Sequence, residues 1–378
     1  MSPKTAITIY YGPAPWFADE VKMQAGESFL EAVRSDEDQR NRIRTEEVQV
    51  PEYERLIVES GDYASIAEHA ITNFPSHVQR LHPGRLLLHN PPTQIDRHLK
   101  RVFRGKSTPT TIRHEYPTVT SATLRAFEDA FEKRMVGQAH VKQAMLGAMY
   151  PLTRKSRSAP VVVMFYGPSG VGKTETAKLI NGLLGGDLMR RQFSMYHSER
   201  FGSYVFGGSH HEQSLANDLL VRESGVILLD EFDKAHSTFH SAFYELFDEG
   251  VYEDRNYRVI VGPALIICTS NYASEDEVHR ALGDALYSRF DALIGFKALG
   301  PAEVATVIEG LVEQVFGHLD PDEVVLLDRD GISQRLQAVA SREPNIRRLR
   351  SITEQYIYRT LAAASLATDE SDKSGSDT

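Results

Sequence analysis

The sequence predicts an α/β fold in which a parallel sheet lies between helices, and two apolar runs carry this prediction. Residues 161–166 and 226–229 are short and rich in β-branched, aliphatic or aromatic side chains. Such runs are too short for free-standing helices and suit strands that are buried on both faces of a sheet. Segments with helical periodicity separate them, and this alternation is typical of parallel α/β sheets. We therefore expect a parallel sheet at the centre of the chain.

The first run ends in a glycine-rich loop, Gly167-Pro168-Ser169-Gly170-Val171-Gly172-Lys173-Thr174, which continues through Glu175 into a helical segment. The loop fits the pattern G-x-x-x-x-G-K-S/T, in which backbone N–H groups surround phosphate oxygens at the positive end of a helix. Lys173 is placed to reach the β- and γ-phosphates, and the Thr174 hydroxyl is placed to ligate Mg²⁺. An ordinary glycine turn is the alternative, but the strand before and the helix after favour phosphate binding. Residues 167–175 are therefore predicted to bind ATP with Mg²⁺.

The second run ends in the acidic pair Asp230-Glu231. Beside a phosphate loop, Asp230 is predicted to hold Mg²⁺ largely through water, and Glu231 to orient and deprotonate the attacking water. An Asp-Glu pair alone would more often form a solvated surface turn. The four apolar residues before it, together with the phosphate loop, favour ATP hydrolysis.

Composition limits the class of protein. Hydrophobic residues make up 41% and charged residues 25%, as in a soluble globular protein, and the net charge of −10 disfavours non-specific nucleic-acid binding. Cys268 is the one cysteine, so an intrachain disulfide is excluded and a reducing compartment is favoured. No apolar run has membrane-spanning length and no signal peptide is evident. We expect a cytoplasmic protein without a membrane partner.

Composition also divides the chain into segments. Residues 1–75 are acidic and predict a small α+β domain of unknown role, whereas 76–120 are basic and punctuated by proline and glycine. We interpret the basic segment as a linker, with a nucleic-acid-binding arm as the alternative. Residues 121–299 form the predicted large domain around the phosphate loop, and 300–366 a small helical lid. Residues 367–378, rich in Ser, Asp and Lys, are expected to be a disordered tail.

Three motifs together resemble the ATPase core of the Clp unfoldases, a branch of the AAA+ superfamily. They are the loop at 167–174, Asp230-Glu231-Phe232-Asp233-Lys234-Ala235-His236, and Cys268-Thr269-Ser270-Asn271. The resemblance covers roughly residues 124–366 and leaves the N-terminal part unassigned. It implies an ATPase whose nucleotide site is completed by further residues.

The resemblance implies roles for those residues. Val136 and Gly137 are similar to the family's adenine-side box and should line the base pocket. Asn271 ends an apolar strand where the family keeps a polar sensor of the γ-phosphate. Arg289 lies in a segment similar to the one that carries the arginine finger, which reaches a neighbouring subunit's ATP. A homo-oligomeric ring, by family resemblance a hexamer, is therefore implied.

The lid segment resembles the sensor-2 helix, with Arg347 at the sensing position. The family usually has Gly-Ala before this arginine, whereas this chain has Asn345-Ile346. Arg348 and Arg350 therefore remain alternatives to Arg347.

The segment Gly202-Ser203-Tyr204-Val205-Phe206-Gly207-Gly208 occupies the place of the family's pore loop, which grips polypeptide. Tyr204 and Val205 are the predicted grips, and a glycine-rich loop with incidental aromatics is the alternative. The stretch between Asn271 and Arg289 is short, so we expect no peptidase-docking loop and no associated peptidase.

The function predicted from these residues is a Clp-type unfoldase that threads or remodels polypeptide through a ring, with a protein client or adaptor as partner. An ATP-controlled switch or scaffold that acts through its N-terminal domain is the alternative. A nucleic-acid remodeller that uses the basic segment is the third and least favoured interpretation.

Overall fold

The computed structural model describes residues 5–22, 26–42, 52–65, 71–105, 108–196, 198–340, 343 and 345–374. Within these ranges, no helix combines the length and the apolar character that crossing a membrane would require.

The N-terminal unit is built on a five-stranded sheet in the order β2-β3-β4-β1-β5, and the described strands all pair in parallel. The strands are β1 Ala6–Tyr11, β2 Glu27–Ser28, β3 Arg55–Val58, β4 Arg85–His89 and β5 Thr110–Arg113. The helices between them are Ala14–Val21, Phe29–Arg42, Asp62–Ser65, Phe74–Leu81 and Thr93–Val102. The parallel pairing makes this unit α/β, where a mixed α+β domain was predicted.

The prediction of a basic linker at 76–120 is wrong for most of its length. This segment supplies β4, which pairs with both β1 and β3, and β5, which pairs with β1. Leu86 and Leu88 are fully buried in the core, and Ile95 and Leu99 form the buried face of an amphipathic helix. The basic residues that suggested a linker lie mainly on the exposed face of these elements. Apolar spacing, rather than net charge, defines the region.

The central sheet confirms the predicted α/β fold, with five parallel strands in the order β12-β6-β11-β8-β7. Its strands are β6 Val161–Tyr166, β7 Met189–Gln192, β8 Val226–Asp230, β11 Leu265–Thr269 and β12 Ala292–Gly295. Val161 and Val163 pack into the core on one face of β6, and Val162 and Met164 pack into the core on the other. Burial on both faces explains the unbroken apolar run.

Helices and short turns surround this sheet. The helices are Ser121–Arg134, Ala139–Met149, Lys173–Leu184, Ser198–Phe206, Leu215–Val221, Tyr244–Glu249 and Glu275–Tyr287. The 3-10 turns are Tyr150–Thr153, Phe193–Met195, Phe232–Lys234 and Ser237–Phe243. A separate antiparallel hairpin is formed by β9 Val251–Glu253 and β10 Arg258–Ile260.

The N-terminal unit packs directly on this hairpin. The backbone N–H of Thr93, at the start of the helix Thr93–Val102, donates to the carbonyl oxygen of Asn256 at 2.8 Å. Arg97 on the same helix lies 3.0 Å from the Glu253 carboxylate. The hairpin loop is therefore covered by the N-terminal unit.

The C-terminal region is helical, as predicted, and has an apolar core of its own. Its helices are Pro301–Phe316, Pro321–Val325, Arg329–Ala340 and Ile346–Ser374. Val304, Ile308, Leu336 and Leu349 meet in this core. The last helix continues to Ser374, past the point where the sequence predicts a tail, and residues 375–378 lie outside the described ranges.

Candidate active site

The glycine-rich loop connects β6 to the helix Lys173–Leu184, and its backbone requires glycine at defined positions. Gly172, which precedes the helix, has φ 108°, a region that L-residues rarely adopt. At Gly167, with φ 126°, a Cβ atom would lie 2.3 Å from the carbonyl oxygen of Phe296. Side chains are thus excluded where the loop must turn tightly.

Lys173 sits in the centre of this loop as a buried ammonium. Its Nζ donates to the carbonyl oxygens of Gly167 and Pro168, both at 2.6 Å, and to Oδ1 of Asn271 at 3.3 Å. Burial lowers the pKa of Lys173 to about 8, although the nearby carboxylates of Asp233 and Asp230 act in the opposite direction. Among the described residues, no carboxylate forms an ion pair with this ammonium. Neutral oxygens therefore hold a charge that a phosphate would satisfy better.

Asp230, the last residue of β8, is buried and fully engaged. Arg190 Nε donates to its Oδ2 at 2.9 Å, and the Thr269 hydroxyl donates to its Oδ1. Arg190 lies on β7 and Thr269 on β11, so the two strands that flank β8 both hold this carboxylate. The arrangement fixes the position of the Asp230 carboxylate.

Glu231 follows in a left-handed conformation, with φ 55° and ψ 46°. A non-glycine residue in this region stores about 1–3 kcal/mol of strain, and such strain is common at functional sites. The backbone N–H of Glu231 donates to Thr269 Oγ1 at 2.9 Å, and its Oε2 accepts from Gln192 Nε2 at 3.1 Å. These contacts hold the Glu231 backbone against β11 and its carboxylate against β7.

The sheet order brings these groups together. β6, β11 and β8 are adjacent and parallel, so Lys173, Asn271 and the acidic pair all follow carboxyl ends at one edge of the sheet. The charges of Asp230 and Glu231 both act on the pKa of Lys173 and raise it. Of the other predicted loop residues, Val171 is buried, Thr174 is half-buried, and Glu175 is exposed and paired with Lys178 at 2.9 Å.

The C-terminal helices reach the same loop through Asn345. Its Nδ2 donates to Ser169 Oγ at 3.3 Å, and the backbone N–H of Ile346 donates to the carbonyl oxygen of Gly170 at 2.9 Å. Asn345 Oδ1 also accepts from the backbone N–H groups of Arg347 and Arg348 at 3.0 and 3.4 Å, which is the pattern of a helix N-cap. The first turn of the last helix is thereby fixed against the phosphate loop.

The two arginines at the start of this helix differ in their surroundings. The charge of Arg347 lowers the pKa of Lys173, whereas Arg348 pairs with Glu343 at 3.0 Å. The charge of Arg347 therefore acts on Lys173 in the phosphate loop.

Arg289 lies on a different part of the surface. Its Nε donates to Asp248 Oδ2 at 2.9 Å, and its guanidinium carbon lies 4.3 Å from the centroid of the Tyr244 ring. Its contacts among the described residues are thus with groups outside the phosphate loop and the acidic pair.

Val136 and Gly137 lie between the central sheet and the C-terminal helices. Gly137 has φ 74°, and a Cβ atom there would lie 2.8 Å from Glu303 Cγ. The neighbouring Gln138 is buried, and its Nε2 donates to the carbonyl oxygen of Lys297 at 2.8 Å. Residues 136–138 therefore lie where the central domain and the C-terminal helices meet.

The structure contradicts the assignment of Tyr204 and Val205 to an exposed loop. Both lie in the helix Ser198–Phe206 and are 3% and 1% exposed. The Tyr204 hydroxyl donates to Asp218 Oδ2 at 2.6 Å, and the carbonyl oxygen of Val205 accepts from the Tyr252 hydroxyl at 2.5 Å. With Phe201, these residues follow the i, i+3, i+4 spacing of a buried helix face. Phe206, at the end of the helix, is the exposed ring of this segment, at 46%.

Sequence reasoning missed four residues of the site: Arg190, Gln192, Thr269 and Asn345. The first three contact Asp230 or Glu231 from neighbouring strands, and no local sequence motif predicts such contacts. Asn345 carried a signal, because an asparagine before an apolar periodic segment is typical of a helix N-cap.

The fold and the site define a phosphate-loop nucleotide-binding domain whose acidic pair lies at the end of β8, separated from β6 by the single strand β11. Residues 159–316 match the family described as AAA domain (Cdc48 subfamily). Together with the relatives described below, this match supports the predicted resemblance of the central domain to the ATPase core of the Clp-type AAA+ proteins.

Curated relatives with the same core are Clp proteins. The chain is 29% identical over 238 residues to the ClpA homolog protein of Fuscovulum blasticum, covering 55% of this chain and 29% of the relative. It is 29% identical over 231 residues to the chaperone protein ClpB of Bdellovibrio bacteriovorus, covering 53% and 27%. For ClpB of Yersinia enterocolitica the identity is 34% over 158 residues, covering 38% and 18%. The chain spans less than a third of the length of these relatives.

Among solved structures, the fold is similar to a closed-state cryo-EM reconstruction of Hsp104 with ATPγS and FITC-casein. The TM-score is 0.54 at 13% sequence identity, and the match covers 96% of this chain and 89% of that one. At this identity the similarity concerns the fold.

Proposed function

We propose that this chain hydrolyses ATP to ADP and phosphate, with Mg²⁺, and couples the reaction to conformational work on a protein. The observation that carries the proposal is the convergence of Lys173, Asp230, Glu231 and Asn271 at the carboxyl ends of adjacent parallel strands. Relatives named as chaperone ClpB and ClpA homolog support the protein-directed part. The composition and the single buried Cys268 favour a cytoplasmic setting.

The residues present fit a nucleoside triphosphate with Mg²⁺. Lys173 offers a buried ammonium that only neutral oxygens now hold, and the Thr174 hydroxyl and the Asp230 carboxylate are the hard oxygen donors that Mg²⁺ prefers. Both oxygens of Asp230 are engaged by Arg190 and Thr269, which favours coordination through water. When bound, Mg²⁺ would neutralise negative charge on the phosphate oxygens.

The chain's own residues then have separate tasks. The loop N–H groups and Lys173 bind and orient the triphosphate, and Asn271 donates from beside Lys173 to the oxygens that gain charge. Glu231 accepts a proton from the attacking water, because Gln192 and its own strained backbone hold its carboxylate in a fixed place. Val136 and Gly137 are the proposed lining of the base pocket.

Two arginines complete the proposed site. Arg347 on the lid helix is favoured over Arg348 and Arg350 as the sensing arginine, because its charge acts on Lys173. Arg289 is proposed to act on the nucleotide of a neighbouring subunit, since its contacts lie away from its own phosphate loop. This role requires a homo-oligomeric ring, for which we propose six subunits.

Threading of polypeptide through that ring is the finer form of the proposal. Tyr204 is buried and hydrogen-bonded, so the gripping ring of the segment is better sought in Phe206, which is exposed and followed by Gly207 and Gly208. An exposed aromatic ring can contact many polypeptides without reading their sequence.

An ATP-controlled switch is the second candidate, and the burial of Tyr204 and Val205 favours it. In this alternative, hydrolysis is slow and a protein partner or adaptor binds through the N-terminal unit. A role on nucleic acid is disfavoured, because the basic segment that suggested it forms strands and helices of a folded unit.

ATP turnover measured with and without an unfolded protein, alongside mass in the presence of ATP, tests the proposal. Stimulated turnover and a ring-sized mass are expected for a remodeller. Slow turnover that no unfolded polypeptide changes would favour the switch. Wild-type turnover no higher than that of the Glu231→Gln variant would rule out hydrolysis.

A further inference from the structure

A cavity of about 390 Å³ lies between the N-terminal unit and the central domain, away from the phosphate loop. From the N-terminal side it is lined by Tyr11, Gly12, Arg113, His114 and Tyr116, and from the other side by Leu220, Arg222 and residues 259–264. Tyr11 and Arg113 are the last residues of β1 and β5, which pair in parallel. Ligands of parallel α/β sheets bind outside the carboxyl ends of the strands, and this volume is typical of small-molecule sites.

A buried positive charge lines this cavity. Arg222 is only 4% exposed, and its two terminal nitrogens donate to the carbonyl oxygens of Leu219 and Val261 at 2.6 and 2.8 Å. Its Nε–H has no hydrogen-bond partner, and no carboxylate in the described part of the chain forms an ion pair with it. Burial lowers its pKa. Since buried charges in proteins are usually paired, the guanidinium lacks the anion that its surroundings call for.

The N-terminal unit covers this guanidinium with an aromatic ring. The guanidinium carbon of Arg222 lies 3.7 Å from the centroid of the Tyr116 ring. Arg113 adds a second, exposed positive charge at the rim, whereas Glu115 is the acidic residue of the lining and is also exposed. Most of the remaining wall is apolar, contributed by side chains such as Val261 and Leu220. The cavity is therefore apolar with a cationic centre.

One wall of the cavity is held in place before any ligand arrives. Asn90, with φ 46°, accepts from the Gly12 backbone N–H at 3.0 Å and donates from Nδ2 to the Gly12 carbonyl oxygen at 2.8 Å. His114 packs on Trp16, with ring centroids 5.2 Å apart. The turn after β1 is thus fixed by side chains from two other segments.

We propose that this cavity binds a small organic anion, with its carboxylate or phosphate group at Arg222 and a flat apolar body against Tyr11, Val261 and Leu220. The ligand would contact both the N-terminal unit and the central domain, and so would stabilise their packing. The site is independent of ATP hydrolysis, because none of its lining residues belongs to the phosphate loop or the acidic pair.

The test measures binding of benzoate, phenyl phosphate and the neutral benzamide to the full chain by calorimetry. The Lys173→Ala background is used so that phenyl phosphate cannot occupy the phosphate loop. Fluorescence of Trp16, the single tryptophan, provides a second readout, because its ring packs on a residue of the cavity wall. Benzoate, phenyl phosphate or both should bind and change this fluorescence, and benzamide should not. Binding of only one anion would identify which group the site prefers.

Arg222→Gln should weaken binding about 10- to 100-fold, the range expected for hydrogen bonds to a charged group. Arg125→Gln, an exposed arginine away from the cavity, is the matched control and should change nothing. Should Arg222→Gln unfold the chain, Thr118→Phe at the exposed rim offers a second variant, since the added ring would narrow the cavity and reduce binding.

Two results would overturn the proposal. Equal binding of benzamide and benzoate would show that the buried charge does not select the ligand. The absence of binding by either anion, in a chain whose fold is verified by circular dichroism, would show that Arg222 has only a structural role. It would then stabilise the packing of the N-terminal unit on the central domain through its contact with Tyr116.

Discussion

Gln192 Nε2 lies 3.1 Å from Glu231 Oε2, and this hydrogen bond ties the neighbouring strand β7 to the proposed catalytic base. Gln192→Ala should lower kcat about tenfold or more and leave the KM for ATP nearly unchanged, because the bond positions the carboxylate and does not touch nucleotide. Phosphate release measured over a range of ATP concentrations separates the two parameters. Ser194→Ala is the control, since Ser194 contacts the same amide but not Glu231. A raised KM with normal kcat would contradict the positioning role.

Substitutions of Lys173 and Glu231 should affect ATP binding and ATP turnover differently. Lys173→Ala is expected to abolish nucleotide binding, because the phosphate charge then has no ammonium to meet it. Glu231→Gln is expected to bind ATP normally and to stop turnover, since the amide cannot accept the proton of the attacking water. A fluorescent ATP analogue and a phosphate-release assay measure the two steps. A Glu231→Gln protein with the normal rate would refute the assignment of the base.

The role of Arg289 is testable by mixing subunits. Arg289→Ala should preserve ATP affinity in an isolated subunit and reduce turnover by about 10³-fold, the scale of arginine fingers. Mixing it with Glu231→Gln protein should restore part of the activity, as each subunit supplies what the other lacks. Arg280→Ala serves as the control, because Arg280 is an exposed arginine on the helix Glu275–Tyr287, which directly precedes the segment of Arg289. Failure to recover activity at every mixing ratio would argue against action in trans.

The two rings of the segment at 202–208 should behave in opposite ways. Tyr204→Ala should destabilise the fold by about 3–5 kcal/mol, as for other buried aromatic residues, because it removes core packing and the hydrogen bond to Asp218. Phe206→Ala should leave the unfolding transition nearly unchanged and abolish stimulation of ATP turnover by unfolded protein. Thermal unfolding and turnover assays measure these effects. Normal stimulation in Phe206→Ala would remove this residue as the gripping ring.

Nucleotide affinity should depend on the protonation of Lys173. With a folded-state pKa of about 8, the ammonium is charged below pH 8 and loses its proton above it, so ATP affinity should fall as pH rises through this value. Between about pH 8 and the ordinary 10.5 the unfolded chain holds more protons, so this residue makes unfolding less favourable as pH rises.

Equilibrium binding of ATP on both sides of pH 8 checks this prediction. In Lys173→Arg the guanidinium stays charged, so the decline should disappear even if affinity is lower overall. A wild-type profile that does not change across pH 8 would contradict it.

The parts of the site that the sequence predicted are those with a local signature. Lys173 and the glycines form one continuous motif, and Asp230 directly follows an apolar run. In both cases, neighbouring residues of the sequence predict the strand and the functional group that follows it. Arg190 and Thr269 are different, because they reach Asp230 only through strand order. The prediction for Tyr204 is wrong because the glycines around it are typical of a loop, whereas the structure places it with Phe201 on the buried face of a helix.

The N-terminal unit shows the same limit from another side. Three leucines at 86–88 form the strand that joins the halves of its sheet, but they stand among arginines whose charge suggested a linker. Charged side chains mostly remain on the surface of a fold, so they do not show whether a segment is folded. The spacing of apolar side chains does, because these side chains form the core.

The packing of the N-terminal unit on the hairpin, through Thr93 and Arg97, determines how the chain can be dissected. An ATPase module expressed from residue 121 onward would lose the covering of Asn256 and Glu253, and the guanidinium of Arg222 would lose its ring partner Tyr116. Such a fragment would expose apolar surface at 259–264 that is now the wall of a cavity. The newly exposed apolar surface would make the fragment prone to self-association. Activities measured on the fragment would therefore not describe the intact chain.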